Sequence, residues 1–455
     1  MSLRIANAAG FLGDNLDAPR RLVEQAEVDY LTLEYLAELT LSILARARQK
    51  NSNAGYAADF IPVIGSLRTA LQSQPRLKIV TNAGGMNPAS CAIATARMLV
   101  ESGLGATLIG VVTGDDLLPR IDALRSSGCA FVNLDTGRSI SELTSEIVSV
   151  NAYLGALPIQ SALAQNARIV IVGRVADASL SVGPAMHEFG WKWDDWDRLA
   201  GASVAGHLIE CGAQVTGGLH RHWESLDLAS VGYPIAELAD DATCVITKPR
   251  STGGCVTRAT VIEQLVYEIG DPAHYLTPDV EVDFTTVEIE QTGPDRVAVR
   301  KATGRPASDT YKVSLAYHDG YTASGQLLIY GRDCVSKARA CGEMILQRVQ
   351  NSGFTLRRSL VESLGAGEGV PGLHRAPSDL REVMLRVTVD DPRREAVERF
   401  CKELAPLVTS GPPGIAGYAS GRPTVRPIFA YWPTLVPKSL VVPECEVRAA
   451  KEWLR

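Results

Sequence analysis

One pattern constrains this chain more than any other. Across roughly its first 190 residues, short apolar runs end in Gly, Asn or Asp and pass straight into helical stretches. RIANAA (residues 4–9) ends at Gly10, and DYLTLEYL (29–36) runs into a helix from about 37 to 49. RLKIVTNAGG (76–85), GATLIGVVTGDD (105–116), CAFVNLD (129–135) and ARIVIVGRVADAS (167–179) follow the same plan. Runs apolar at every position belong to strands covered on both faces, and strand–helix alternation joins such strands in parallel. The expected fold class is α/β, opening with an N-terminal doubly wound, mostly parallel sheet. A barrel of eight such units is the competing arrangement, but only six strands of this kind are expected. Helix starts are marked too: Asp17 before Pro19 reads as an N-cap acid with a first-turn proline, and Asn87-Pro88 opens another helix.

The texture changes near Tyr233. DATCVITKPRSTGG, VEVDFTTVEIEQTG, DRVAVRKATG and TYKVSLAYHDGY alternate polar and apolar residues between Gly, Pro and Asp turns. TVIEQLVYEIG reads as a helix stopped at Gly270, and VSKARACGEMILQRVQ as an amphipathic helix. An α/β Rossmann-like domain over residues 1–230 and an α+β domain with antiparallel strands over 231–455 are therefore expected. Ser363–Ser378 reads as a long Gly/Pro-rich loop.

Composition narrows the class. At 455 residues and 46% hydrophobic, the chain can build ordinary cores without disulfide or metal staples. A net charge of −6 argues against a nucleic-acid surface, which needs clustered Lys and Arg. No apolar run approaches the roughly 20 residues of a membrane span. MSLRIANAAGFLGD lacks a long apolar stretch, so no signal peptide is expected. Nine scattered cysteines without C-x-x-C fit reduced thiols, so a cytoplasmic protein is expected.

In open parallel sheets, ligands bind at the carboxyl ends of strands. The candidate residues follow from that rule. Gly10, Gly13 and Asp14 follow the first strand, and Glu34 and Glu38 flank the end of the second. Asn82, Gly84, Gly85 and Asn87 follow the third, Asp115 and Asp116 the fourth, and Arg174 and Asp177 the last. Glycine turns entering helices free N–H groups that hold phosphate or carboxylate, or they merely permit tight βα turns. None matches a dinucleotide or Walker fingerprint, so no cofactor is expected. Arg174 and Asp177 fit an anionic substrate or a mutual ion pair. Glu34 and Glu38, one turn apart if a helix begins near Glu34, fit general acid–base work or a solvated face.

Other groups carry weaker signals. Cys91 in a first helical turn, and Cys255 after two glycines, are minority candidates for a nucleophile. His207 and Glu210, a helical turn apart near Cys211, share a proton or, with His220 and His222, a metal. No metalloenzyme motif supports the latter, so no metal is expected. Trp191, Trp193, Trp196 and Trp223 fit core, interface or an acyl-chain wall.

ANAAGFLGD, DYLTLEYLAE, NAGGMNP, VGRVADASL, HLIECGAQVTGG, KPRSTGG and GDPAHYLTPDV, in this order, resemble the acyclic terpene utilisation (AtuA-like) family, long described as a domain of unknown function. The resemblance covers roughly residues 3–430 and implies breakdown of acyclic terpenes and related branched acyl-CoA esters, alongside acyl-CoA carboxylases. It also implies a small ferredoxin-like-fold partner. In the family that domain is fused behind this region or encoded beside it, and none is expected behind Arg455. The resemblance supplies no catalytic residues.

The resulting expectation is an acyl-CoA lyase or hydro-lyase. Glu34 or Asp177 moves the proton next to a carbonyl, and Asn82 holds the carbonyl oxygen. Gly10, Asp14, Gly84, Gly85, Asn87 and Arg174 bind the anionic part of the substrate. The rival is a non-catalytic scaffolding subunit for the ferredoxin-like protein or a carboxylase complex. A homo-oligomer is the default for soluble assemblies.

Overall fold

The computed structural model describes residues 2–455 except 371, 373–376, 378, 419 and 420. The chain divides into two compact units, one reaching to Ala316 and completed by Tyr431–Arg455, the other Tyr317–Ala430. The larger unit opens with β1 (Leu3–Asn7), α1 (Ala18–Gln25), β2 (Tyr30–Leu33), α2 (Glu38–Lys50), α3 (Phe60–Ser66), α4 (Arg68–Ser73) and β3 (Lys78–Thr81). Then come α5 (Pro88–Glu101), β4 (Leu108–Thr113), α6 (Ile121–Ser126), β5 (Ile147–Ala152), α7 (Leu157–Ala164), β6 (Ile169–Val172), α8 (Ser179–Phe189) and α9 (Trp196–Glu210). It continues through β7 (Ile235–Leu238), β8 (Cys244–Thr247), α10 (Arg258–Leu265), β9 (Tyr275–Leu276), β10 (Glu281–Asp283), β11 (Glu288–Gly293), β12 (Arg296–Arg300) and β13 (Thr303–Arg305).

The main sheet runs β11-β12-β8-β7-β1-β2-β3-β6-β4, with β19 (Glu444–Ala449) beyond β4. Its centre, β1-β2-β3-β6-β4, is parallel, and the flanking strands are antiparallel. The sheet is open, not a barrel. Ala6, Leu31, Ile79, Ile169 and Ile109 form one row across it, and they share a core with residues of α1, α3, α4 and α5. Alternate residues point to the other face. There Ile5, Tyr30, Val80 and Val170 are equally buried, and α7, α8 and α9 pack on the same strands. Double burial is why these strands lack alternation.

The connections place the site. The chain steps from β1 to β2 to β3, crosses through α5 to β4, and returns by α7 to β6, which lies between β3 and β4. Adjacent β3 and β6 therefore send their following helices to opposite faces. Their carboxyl ends flank a topological switch point, where open α/β sheets hold ligands.

Four expectations change. Residues 129–135 are not a strand: Phe131 takes a left-handed φ of 46°, and Asn133 Oδ1 accepts the N–H groups of Asp135 and Thr136, each at 2.9 Å. The fifth strand is instead Ile147–Ala152, which pairs with β14 and stands outside the main sheet. Asp17 precedes α1 without a side-chain capping bond. The change of texture after residue 230 is not a unit boundary, because β7, β8, β11 and β12 extend the first sheet.

The smaller unit holds most of β14 (Thr310–Tyr330), then α11 (Cys334–Asn351), β15 (Arg358–Leu364), β16 (Glu382–Asp391), α12 (Arg394–Glu403), α13 (Leu407–Ser410), β17 (Ile415–Tyr418) and the start of β18 (Arg426–Pro437). Its sheet order is β15-β16-β14-β17, antiparallel throughout. With α11 and α12 as crossovers, this is the βαββαβ ferredoxin-like arrangement. β16 alternates partly exposed and buried residues, and its buried Val383, Leu385, Val387 and Val389 pack with α11 and α12. The expected loop begins where β15 ends, but residues 371, 373–376 and 378 of it lie outside the described residues. Among the described residues, no helix is long and apolar enough to cross a membrane.

Candidate active site at the switch point

The turn after β3 meets the turn after β6. Gly84 makes that possible, because a Cβ there would sit 2.5 Å from the carbonyl oxygen of Val172 and 2.9 Å from Pro88. The turn is closed by its own bonds: the N–H groups of Ala83, Gly85, Met86 and Asn87 donate to Thr81 Oγ1 and to the carbonyls of Asn82, Gly55 and Gly84. Asn87 caps α5 by accepting from Ser90 N–H at 3.2 Å, and it donates to the carbonyls of Ser52 and Ala54, each at 2.9 Å. Gly84, Gly85 and Asn87 thus shape the cleft and do not offer an open anion cradle. Asp14 is similarly committed, accepting from Gly10 N–H at 2.8 Å and from the Tyr233 hydroxyl at 2.6 Å.

Glu34, Asn82, Arg174 and Asp177 do converge. Asn82 accepts from Tyr35 N–H at 2.8 Å, and its Nδ2 donates to Glu34 Oε1. The same Glu34 oxygen accepts from Leu36 N–H at 2.8 Å. The Asn82 amide is therefore spent on positioning Glu34, which removes it from the expected role of holding a carbonyl oxygen. Arg174 Nη1 donates to the Leu36 carbonyl and to Asp177 Oδ1, both at 2.8 Å, and lies 4.0 Å from Glu34 Oε1. Its guanidinium stacks 4.1 Å from the centre of the Tyr153 ring. Glu34 Oε2 and Arg174 Nε are buried without a hydrogen-bond partner.

Glu34 is not on α2, so it shares no helix face with Glu38. Glu38, the first residue of α2, nevertheless belongs to the cluster: it accepts from the Tyr153 hydroxyl at 2.5 Å and pairs with Lys312 at 3.4 Å. Asp115 lies beneath, accepting from Arg174 N–H at 2.8 Å and Asn151 Nδ2 at 2.9 Å.

The environments separate the carboxyl groups. Burial, with the charge of Asp177, raises Glu34 well above the ordinary value, against the opposing pull of Arg174. Asp177 is also raised, by burial and by Glu38, but Arg174 is in direct contact and a third of its side chain meets solvent. Of the two, Glu34 is driven further toward holding a proton. Burial works against ionised Glu38, but the Tyr153 hydroxyl, Arg174 and Lys312 outweigh it and hold Glu38 at about 2. Burial pushes Asp115 up to about 6.

A proton held by folded but not unfolded Glu34 makes stability fall as pH rises above about 4.5, until the folded group ionises. Glu34→Gln mimics the protonated carboxyl. The variant is expected to gain on the native protein by up to about 1.4 kcal/mol per pH unit across that range. Urea denaturation at pH 5 and pH 8 reads this, and equal differences at both would place no proton on Glu34.

The other candidates lie apart. His207 bonds to Glu210 and His220 to Glu263, and no cluster of three or more His, Cys, Asp or Glu fit for a metal occurs among the described residues. Burial raises the Cys91 and Cys255 thiols, which disfavours thiolate nucleophiles. Trp191 is buried against Phe189 and donates to Asp240, whereas Trp193 and Trp223 are exposed. Asp115 was a strand-end candidate and joins the site, whereas Tyr153, Lys312 and Asn151 were not selected from the sequence: Tyr153 and Lys312 reach the site from the end of β5 and from β14 and carry no local signal.

The family model described as acyclic terpene utilisation family protein AtuA matches residues 3–447. The chain belongs to the AtuA family. Membership gives it a role in acyclic terpene utilisation. No curated protein and no solved structure matches the chain. The AtuA assignment covers both compact units, so the ferredoxin-like unit is part of the family's matched region.

Proposed function

We propose that this AtuA-family protein is an acid–base enzyme of acyclic terpene or branched acyl-CoA breakdown, a lyase or hydro-lyase working next to a carbonyl. One observation carries the reading. At the switch point two carboxyl groups, Glu34 and Asp177, meet across a shared guanidinium, and Glu34 Oε2 and Arg174 Nε have no partner within the protein. Carboxyl groups driven apart by their surroundings divide acid and base roles. Asp177, reached by solvent, takes the proton from carbon. Arg174 offsets the negative charge gathering on the carbonyl oxygen. Glu34 gives its proton to the departing oxygen, so that water or an alcohol leaves. Asn82 positions Glu34.

The test begins with a thermal-shift panel of acyl-CoA esters, since a ligand of the native state raises the midpoint. On any ester that is turned over, Glu34→Gln is expected to lower kcat by about 10²-fold or more. Full turnover in that variant removes Glu34 from the reaction. The second reading is a non-catalytic subunit that holds a carboxylase complex or a small ferredoxin-like partner. It is favoured by the burial of Glu34, Asn82 and Arg174, none more than 4% exposed. A stable complex with such a partner, and no shift with any ester, would support it.

A further inference from the structure

The turn between β9 and β10, part of GDPAHYLTPDV, takes no part in the steps above. It is closed on itself. Thr277 N–H and Oγ1 donate to the Val280 carbonyl at 3.1 and 2.7 Å, and Thr277 Oγ1 accepts from the N–H groups of Asp279 and Val280 at 3.2 and 3.0 Å. Lys438 Nζ donates to the Pro278 carbonyl at 2.7 Å and fixes the turn from the last stretch of the chain. A turn held in this way presents Asp279 in one place. Asp279 Oδ1 accepts from Ala156 N–H at 2.7 Å, and Oδ2 accepts from the Ser179 hydroxyl at 2.5 Å. Ala156 precedes α7 and Ser179 opens α8. Helix starts carry free N–H groups and the positive end of the dipole, which favour a carboxylate. Gly155 gives it room, because a Cβ there would run into Asp279 Oδ1.

Both contacts lie directly behind the site. Tyr153, three residues before Ala156, stacks on Arg174 and donates to Glu38. Asp177, two residues before Ser179, pairs with Arg174. The two segments are laced by backbone bonds, from Leu154 N–H to the Arg174 carbonyl at 3.2 Å and from Ala176 N–H to the Leu154 carbonyl at 2.9 Å. A pairing this short is weak by itself. Asp279 closes its far end.

We infer that Asp279 is a positioning residue of the cleft: its carboxylate fastens the start of α7 to the start of α8 and so sets Tyr153 against Arg174 and Asp177. Without it, Ala156 N–H loses its acceptor and the two segments are free to part. A misplacement of about 1 Å at reacting groups costs about 10²-fold in rate. The part of Asp279 in turnover rests on the acid–base reading of the cleft.

Asp279→Ala and Asp279→Asn separate this role from general support of the fold. Alanine removes both acceptors. The amide keeps both contacts: its oxygen accepts from Ala156, and its nitrogen donates to the Ser179 hydroxyl, which turns to accept. Amide hydrogen exchange, read by mass spectrometry on peptides across 153–157 and 174–180, needs no substrate. In Asp279→Ala the protection of Leu154 and Ala176 is expected to fall by about tenfold or more, with β2 and β3 unchanged. Asp279→Asn is expected to stay within about threefold of the native protein. Ser179→Ala cuts the α8 contact alone and is expected to lower protection at Ala176, even where Asp279→Ala does not fold. On any ester that is turned over, Asp279→Ala is expected to lower kcat by about tenfold or more with KM little changed, and Asp279→Asn to restore it. Unchanged exchange at these amides in the folded variants, a rise shared equally by β2 and β3, or full kcat in Asp279→Ala would overturn the inference, even if Glu34→Gln abolishes turnover. A local rise that Asp279→Asn reverses supports it even where Glu34→Gln keeps full activity, so the two readings fail separately.

Discussion

Arg174→Met is expected to cost the protein about 3–5 kcal/mol at pH 8 and markedly less at pH 5. The guanidinium is 3% exposed and lies among Asp177, Glu34 and Glu38. Removing one partner of a buried ionic cluster leaves the others without compensation, which sets the size of the loss. Met fills much of the same volume, so the change reports charge more than a cavity. The pH dependence follows from the carboxyl groups. Without the cation, Asp177 and Glu38 lose an influence that lowers their pKa values, and Glu34 rises further. At pH 5 more of them take protons and relieve the repulsion, whereas at pH 8 they must remain charged or draw protons from dilute solution. Arg174→Lys should fall between, because a point charge cannot bond both the Leu36 carbonyl and Asp177 while lying flat on Tyr153. Urea midpoints of the three proteins at both pH values decide this. A loss below about 1 kcal/mol, or one equal at both pH values, would show that Arg174 does not hold these carboxylates.

How far the site could be read in advance depended on where its residues stand in the chain. Glu34, Asn82, Arg174 and Asp177 were legible because each follows an apolar strand, and parallel strands bring such positions to one sheet edge. Their bonds were not. Nothing local tells that Asn82 spends its amide on Tyr35 and Glu34, or that the glycine turn satisfies its own N–H groups. Tyr153 and Lys312 were out of reach because they come from β5 and β14, and that pairing depends on long-range register.

The fold shows the same divide. Double burial made the parallel strands visible as continuous apolar runs. CAFVNLD has the same composition, but Asn133 offers its neighbours' N–H groups a turn in place of a strand ladder. The texture change after residue 230 was real, since antiparallel strands begin there. It marked a change of strand direction within one sheet, and composition does not distinguish that from a new unit. The ferredoxin-like unit at 317–430 was legible only as an α+β texture, because its strand order is set by long-range pairing.

The second large effect is expected at a residue with no chemistry of its own. Gly84→Ala adds one methyl group at the closest approach of the β3 and β6 turns. That carbon would stand 2.5 Å from the Val172 carbonyl oxygen and 2.9 and 3.0 Å from Cβ and Cα of Pro88. Backbone and a proline ring surround it, so no flexible side-chain end can swing away. Relief requires the two turns to separate at the switch point. Forcing apart a packed interior costs about 1–3 kcal/mol, and rigid neighbours put this case at the upper end or beyond it. The separation also draws Asn82, two residues away, from Glu34 and Arg174, so ligand-induced stabilisation should vanish together with native stability. Gly13→Ala is the control. Gly13 has a φ of 96° and nothing within 4 Å of its added carbon, so it meets backbone strain of roughly 1–2 kcal/mol and no collision. Thermal denaturation of both variants, with and without any acyl-CoA found to raise the midpoint of the native protein, separates the two causes. If Gly84→Ala melts no lower than Gly13→Ala, the two turns are not packed as described, and the cleft built on their contact loses its foundation.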